Sequence, residues 1–220
     1  MSIFSERVSI QWEDEPSPNE PTSTWVLTAA NGDFVDTRIN LTTKIPEWVS
    51  TGKELEIETK PGYEYSINFQ LILDSTSEPN SCNSDVGNFK QLPNSNYRLE
   101  EGSMANPTQN KKIMSYKEIW RTLDPNRSTP ENLVEIDTGS ISEKEEIGFE
   151  SKVWELPGNR GRFITIGYFG QGVAVNENYE YQTIRLYKNR VLYSDGNDYQ
   201  KIFAPFLGKG ISGMEWIQKC

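Results

Sequence analysis

The chain contains no histidine in 220 residues. Histidine is the side chain best matched to proton transfer near neutral pH, and it is the commonest metal ligand. Its absence excludes a Ser-His-Asp triad, a Cys-His dyad, a mixed His/Cys zinc site and a facial iron triad. Carboxylates, Lys, Tyr and Cys remain as chemical groups. Cysteine is nearly as scarce: Cys82 sits in a Ser/Asn-rich stretch and Cys220 is the last residue, too few for the disulfide framework of a small secreted scaffold. No apolar run approaches the ~18 residues that a membrane-spanning helix needs. The segment from Met1 to Arg7 has no apolar h-region, so no signal peptide is expected. These absences predict a cytoplasmic protein that also reaches the nucleus by diffusion.

Basic charge is also in deficit. The formal net charge is -10, and all of the excess lies in residues 1–105, with 17 acidic and 7 basic side chains. Residues 106–220 balance at 15 of each. An acidic surface repels phosphate backbones and anionic lipid, which argues against nucleic acid and membrane as partners and for a basic protein surface.

What is abundant is aromatic: 6 Trp, 10 Tyr and 9 Phe, residues that build cores economically and favour strands. The dominant period is two. Tyr63, Tyr65, Ile67, Phe69, Leu71 and Leu73 alternate with polar residues, the pattern of a half-buried antiparallel strand. Asn31-Gly32 between two strand-like runs is the strongest hairpin signal, and Pro157-Gly158, Lys188-Asn189 and Asp195-Gly196 punctuate the second half. One segment departs from this period. Ser115-Tyr116-Lys117-Glu118 reads as a capping box, with Ile119, Trp120 and Leu123 at helical spacing before Asp124-Pro125, predicting a short helix over 116–123. Gly102 to Pro107 has linker composition at the change of charge regime. The expected organisation is therefore mainly β: two antiparallel β-barrels in tandem, an acidic one over 1–105 and a second over 106–220, with exposed strand edges that leave a homodimer open.

Two fragments carry a family resemblance. Ser115-Tyr116-Lys117-Glu118-Ile119-Trp120-Arg121-Thr122-Leu123-Asp124-Pro125-Asn126-Arg127 and Ile164-Thr165-Ile166-Gly167-Tyr168-Phe169-Gly170-Gln171-Gly172 resemble segments of the fungal HRI protein family, with weaker echoes at Pro46-Glu47-Trp48 and Leu99-Glu100-Glu101-Gly102. The resemblance covers about residues 24–218. It implies two lipocalin-like barrels, no known enzymatic activity, no catalytic residues or cofactor to carry over, and association with a casein-kinase-I-type protein kinase.

Such kinases favour an acid or phosphate three residues before the acceptor. Asp74 precedes Ser77, Glu78 precedes Ser81 and Ser81 precedes Ser84 at that spacing, and Asp137 precedes Ser140. Ser77, Ser81, Ser84 and Ser140 are the candidate phosphorylation sites. Trp120, Asp124 and Arg127 form a second candidate group, either an interaction surface or a structural anchor in which Trp120 plugs a barrel and Asp124 caps a turn. The leading functional expectation is a non-enzymatic interaction protein. The runner-up is a lipocalin-like carrier of a small hydrophobic ligand, although so many rings favour a barrel filled by its own side chains. A carboxylate-based enzyme would need a cleft holding a desolvated Asp or Glu of raised pKa.

Overall fold

Hairpin follows hairpin from the first residues onward. In the computed structural model, residues 1–77, 84–93, 95–136, 148–208 and 214–219 are described. The first eight strands are β1 (Ile3–Trp12), β2 (Thr22–Thr28), β3 (Asp33–Asn40), β4 (Pro46–Ile57), β5 (Tyr65–Asp74), β6 (Ser84–Gln91), β7 (Arg98–Asn106) and β8 (Lys112–Leu123). Each pairs antiparallel with the next, and β8 returns to β1, closing a barrel. The Asn31-Gly32 turn joins β2 to β3 as its sequence predicts, with Gly32 at φ 85°, a conformation glycine adopts without steric penalty.

The second unit is a six-stranded antiparallel sheet in the order β13-β12-β11-β10-β9-β14. Its strands are β9 (Ser151–Leu156), β10 (Gly161–Ile166), β11 (Phe169–Val175), β12 (Tyr181–Tyr187), β13 (Arg190–Asp195) and β14 (Ile217–Gln218). One helical turn, α1 (Tyr199–Ile202), and a 3₁₀ turn (Ala204–Leu207) pack on it. Among the described residues β13 and β14 do not pair, so one barrel and one open sheet stand where two closed barrels were expected. Closure removes most of the barrel's edges, and among the described residues the longer edge strand of the sheet available for pairing between chains is β13.

Two local expectations are corrected. Residues 116–123 form no helix; they are the greater part of β8. Tyr116, Glu118 and Trp120 are buried and alternate with more exposed Lys117, Ile119 and Arg121, so period two was present beneath the capping-box spelling. The division at 105/106 falls at the end of β7, inside the β7–β8 hairpin of a single barrel. The barrel ends at Leu123, and the change in charge marks no structural break.

The two units share one core. Phe4, Trp25, Leu27, Val35, Val49 and Leu123 of the barrel pack with Val153, Ile164, Ile166, Phe169 and Val173 of the sheet. Rings interlock across this boundary, with Phe4–Phe169 centroids 4.9 Å apart and Trp25–Phe169 5.8 Å. Polar side chains fix the register. Gln171 donates to the carbonyls of Trp25 and Val35 at 3.0 and 2.8 Å. Arg185 donates to Ser23 O, Ser23 Oγ, Thr37 O and Thr37 Oγ1 at 2.7–2.8 Å and lies 4.4 Å over the Trp25 ring. Burial pushes this guanidinium down to about 9, with the charge of Asp36 the largest effect opposing it, so it stays charged at neutral pH.

Candidate functional site

Among the described residues the barrel wall opens at the seam between β6 and β7. The β6–β7 ladder runs from Gln91↔Arg98 to Gly87↔Gly102 and stops, although β6 begins at Ser84 and β7 continues to Asn106. Beyond that point the strands splay. Both residues of the last pair are glycine because nothing larger fits. A Cβ on Gly102 would lie 2.6 Å from Val86 O and 2.7 Å from Tyr116 Oη, and one on Gly87 would lie 2.5 Å from Glu100 Oε1. The splay forms a cleft of about 710 Å³ whose outer wall includes Glu13, Lys60, Tyr63, Glu101 and Lys117. At its floor are Asp85 and Tyr116, which also line a second cavity of about 60 Å³ inside the barrel.

That interior is charged. Asp36, Arg38, Asp85, Glu100 and Glu118 line the inner cavity together with Phe34, Trp48, Phe69, Leu71, Met104 and Trp120. Arg38 pairs with Asp36 at 2.9 Å and with Glu118 at 3.6 Å, and lies 4.2 Å over the Trp48 ring. Arg7 bridges Glu118 at 2.5 Å and Glu20 at 2.7 Å. Desolvation works against both guanidinium charges, but the neighbouring carboxylates outweigh it and raise both pKa values. Tyr116 donates to Glu100 Oε1 at 2.7 Å. Burial, and secondarily the charge of Glu118, pushes Glu100 up to about 8, so it is protonated at neutral pH. Burial likewise raises Asp85 and lifts Tyr116 well above the usual phenol value.

Three buried polar atoms on residues that line this cavity have no hydrogen-bond partner among the described residues: Asp36 Oδ1, Trp48 Nε1 and Trp120 Nε1. Their residues are 6%, 7% and 5% exposed. Unpaired buried polar groups are rare in native folds, because each forfeits its hydration without replacement. Among the described residues no group of three or more Cys, Asp or Glu is arranged to hold a metal ion. No helix among them is long and apolar enough to cross a membrane.

The residues singled out from sequence scatter. Trp120 stands inside the barrel on β8. Asp124 Oδ1 accepts from the Asn126 and Arg127 N–H groups at 2.9 and 3.0 Å, capping the turn after β8, while Arg127 is exposed; the three make no common surface. Ser77 Oγ donates to Asp74 Oδ2, and the same carboxylate accepts from Thr76 N and Oγ1. Ser84 is exposed at the start of β6 and lines the cleft. Ser81 and Ser140 lie outside the described residues. Sequence reasoning missed Asp36, Arg38, Asp85, Glu100 and Glu118. The available signal was parity: Phe34, Asp36 and Arg38 share one strand face, as do Tyr116, Glu118 and Trp120.

A family model described as Protein HRI1 matches residues 3–207. The chain is also similar to the crystal structure of the uncharacterized protein YLR301w from Saccharomyces cerevisiae, with 24% sequence identity, coverage of 92% of this chain and 89% of that one, and a TM-score of 0.71. At that identity the likeness speaks to the fold. No curated protein matches the chain.

Proposed function

This chain belongs to the HRI1 protein family, and on that premise we propose that it is a non-enzymatic binding protein acting as an accessory of a casein-kinase-I-type protein kinase in the cytoplasm and nucleus. The kinase association rests on the family resemblance. The observation that carries it to particular residues is the position of Ser84, exposed at the first residue of β6 and three residues after Ser81. A phosphate on Ser81 adds about −1.5 to −2 charge and supplies the acidic determinant for Ser84. The Asp74–Ser77 pair is a poorer candidate, because Asp74 is 8% exposed and its carboxylate already holds Thr76 and Ser77. Incubation with the kinase and ATP, followed by phosphosite mapping, tests the reading. Modification of Ser81 and Ser84 is expected, with Ser84 lost in Ser81→Ala; modification confined elsewhere overturns it. Association driven by the acidic surface weakens between roughly 50 and 300 mM salt.

The raised acids raise the question of catalysis. Glu100, the more perturbed, lines the inner cavity rather than the open cleft and is hydrogen-bonded to Tyr116. Such an arrangement supports holding a ligand more than transferring a proton to one. The side cleft thus favours a second reading, a carrier function of the barrel, with a polar ligand in place of the hydrophobic one that lipocalin-like architecture alone suggests. Native mass spectrometry of the purified protein tests it: a retained small molecule supports the reading, and bare protein together with failure of every probe below sinks it.

A further inference from the structure

On the carrier reading of the barrel, we propose that the cleft admits a small aliphatic ammonium ion with an oxygen two carbons away, a 2-aminoethanol unit, bound between Asp85, Asp36 and the two indoles of Trp48 and Trp120. Four features of the cavity converge on that chemistry. Adjacency comes first, because Asp85 and Tyr116 line the cleft and the inner cavity at once and only these side chains need move to join the two. Charge comes second: with Glu100 protonated, the inner wall carries the carboxylates of Asp36, Asp85 and Glu118 against Arg38, and the nearby Arg7 divides its pairing between Glu118 and Glu20. This excess of acid attracts a cation and repels an anion.

Hydrogen bonding comes third. Asp36 Oδ1 is a vacant acceptor, which an ammonium satisfies, and the Trp48 and Trp120 N–H groups are vacant donors, which an oxygen satisfies. A ligand carrying both within a few bonds meets all three, whereas a bare alkylamine leaves the indoles unpaired. Aromatic surface comes fourth: one face of Trp48 already carries Arg38, and Trp120 and Tyr116 add further ring surface around the space of the kind that favours cations. The raised positions of Glu100 and Asp85 fit the same picture. Glu118 and Tyr116 on β8, Arg38 on β3 and Arg98 on β7 face Glu100, and Arg38, Asp74 on β5 and Glu118 act on Asp85; burial raises both acids first, and the neighbouring carboxylates add to it.

The test is a titration of the full-length protein followed through its indole N–H resonances, using ethanolamine, ethylene glycol and glycolate, which keep the size and exchange cationic for neutral for anionic. Four non-hydrogen atoms limit affinity, so a dissociation constant no tighter than about 10⁻⁵ M is expected. Ethanolamine should shift the Trp48 and Trp120 signals saturably, with at least a tenfold advantage over the other two. Asp85→Asn, with its fold checked by circular dichroism, should lose that advantage. Phosphoethanolamine distinguishes a free amino alcohol from one presented as a phosphate ester; the tighter of the two identifies the source. Equal or tighter binding of ethylene glycol or glycolate overturns the ammonium while leaving a carrier in place. No saturable shift with any probe overturns both.

Discussion

Glu100→Gln isolates the energetic cost of the polar interior. Glu100 is 5% exposed and burial holds it at about 8 against an ordinary value of 4.5. Between those values the folded chain keeps a proton that the unfolded chain has lost. Stability then falls as pH rises, by up to about 1.4 kcal/mol per pH unit, and the loss stops growing once the folded acid also ionises. From about pH 5 to about pH 7 the sum approaches ~3 kcal/mol, a sizeable share of the ~5–15 kcal/mol that holds a typical domain. Gln keeps the acceptor for Tyr116 and cannot ionise. Urea unfolding of both proteins across this range should show wild type losing stability relative to the variant as pH rises. Glu54 and Asp85, also raised by burial, contribute equally to both proteins and cancel in the difference. Parallel profiles would refute the reasoning: they would mean that Glu100 is ionised in the fold, its charge met by Arg38 and Arg98.

Arg185→Ala removes four buried hydrogen bonds to Ser23 and Thr37 and the packing over the Trp25 ring, and should cost about 3–5 kcal/mol by chemical denaturation. Gly172→Ala puts a methyl 2.6 Å from Phe203 Cε1 and 2.7 Å from Phe163 Cδ2, so overpacking should lower stability by roughly 1–3 kcal/mol. Trp216→Ala removes the rings packed on Phe203 and Phe206 and the bond to Ile202 O at 2.7 Å. A loss of about 3–5 kcal/mol is expected, with faster amide exchange in α1 as the local readout. A fragment of residues 1–136 would expose Trp25, Leu27, Val35 and Val49; it should aggregate or bind hydrophobic dyes, and a soluble folded monomer would show that the barrel is self-sufficient.

Local pattern announced much of the strand content. Phe69 and Leu71 do share the inward face that alternation assigns them, and Lys188-Asn189 turns with φ values of 48° and 65°, as a tight hairpin requires. Residues 116–123 were misread because Ser-x-x-Glu and i, i+3 apolar spacing also arise by chance in a strand whose inward face mixes Tyr, Glu and Trp. β1 carried no clean signal, since its register shifts between Arg7 and Ser9 and a bulge breaks alternation. Gly102 to Pro107 looked like a linker because small and polar residues suit the end of a strand, here β7 to Asn106, that loses its β6 neighbour there. The site was illegible for a related reason. Polar residues in an alternating strand are ordinarily read as the solvent face, and only barrel closure turns Asp36, Arg38 and Glu118 inward.

An eight-stranded barrel is just wide enough to be filled by its own side chains, and the most stabilising filling is apolar. This barrel instead encloses Arg7, Asp36, Glu100 and Glu118, each at most 6% exposed. Such burial forfeits hydration that pairing at best recovers, and three polar atoms recover nothing from the described residues. Apolar packing is divided: Trp48, Leu71, Met104 and Tyr116 pack together inside, while on the outside of β2, β3 and β4 Trp25, Leu27, Val35 and Val49 meet the sheet. On β3 the ordinary pattern is partly reversed: Val35 points away from the barrel axis to the sheet, while Asp36 and Arg38 join Phe34 in pointing toward it. The sheet is what makes the reversal affordable, because it supplies the hydrophobic burial that a polar interior gives up. A fold selected for rigidity alone would gain by replacing the Arg38–Asp36–Glu118 network with hydrophobic residues. Retaining it beside an open seam fits an interior built to meet another molecule.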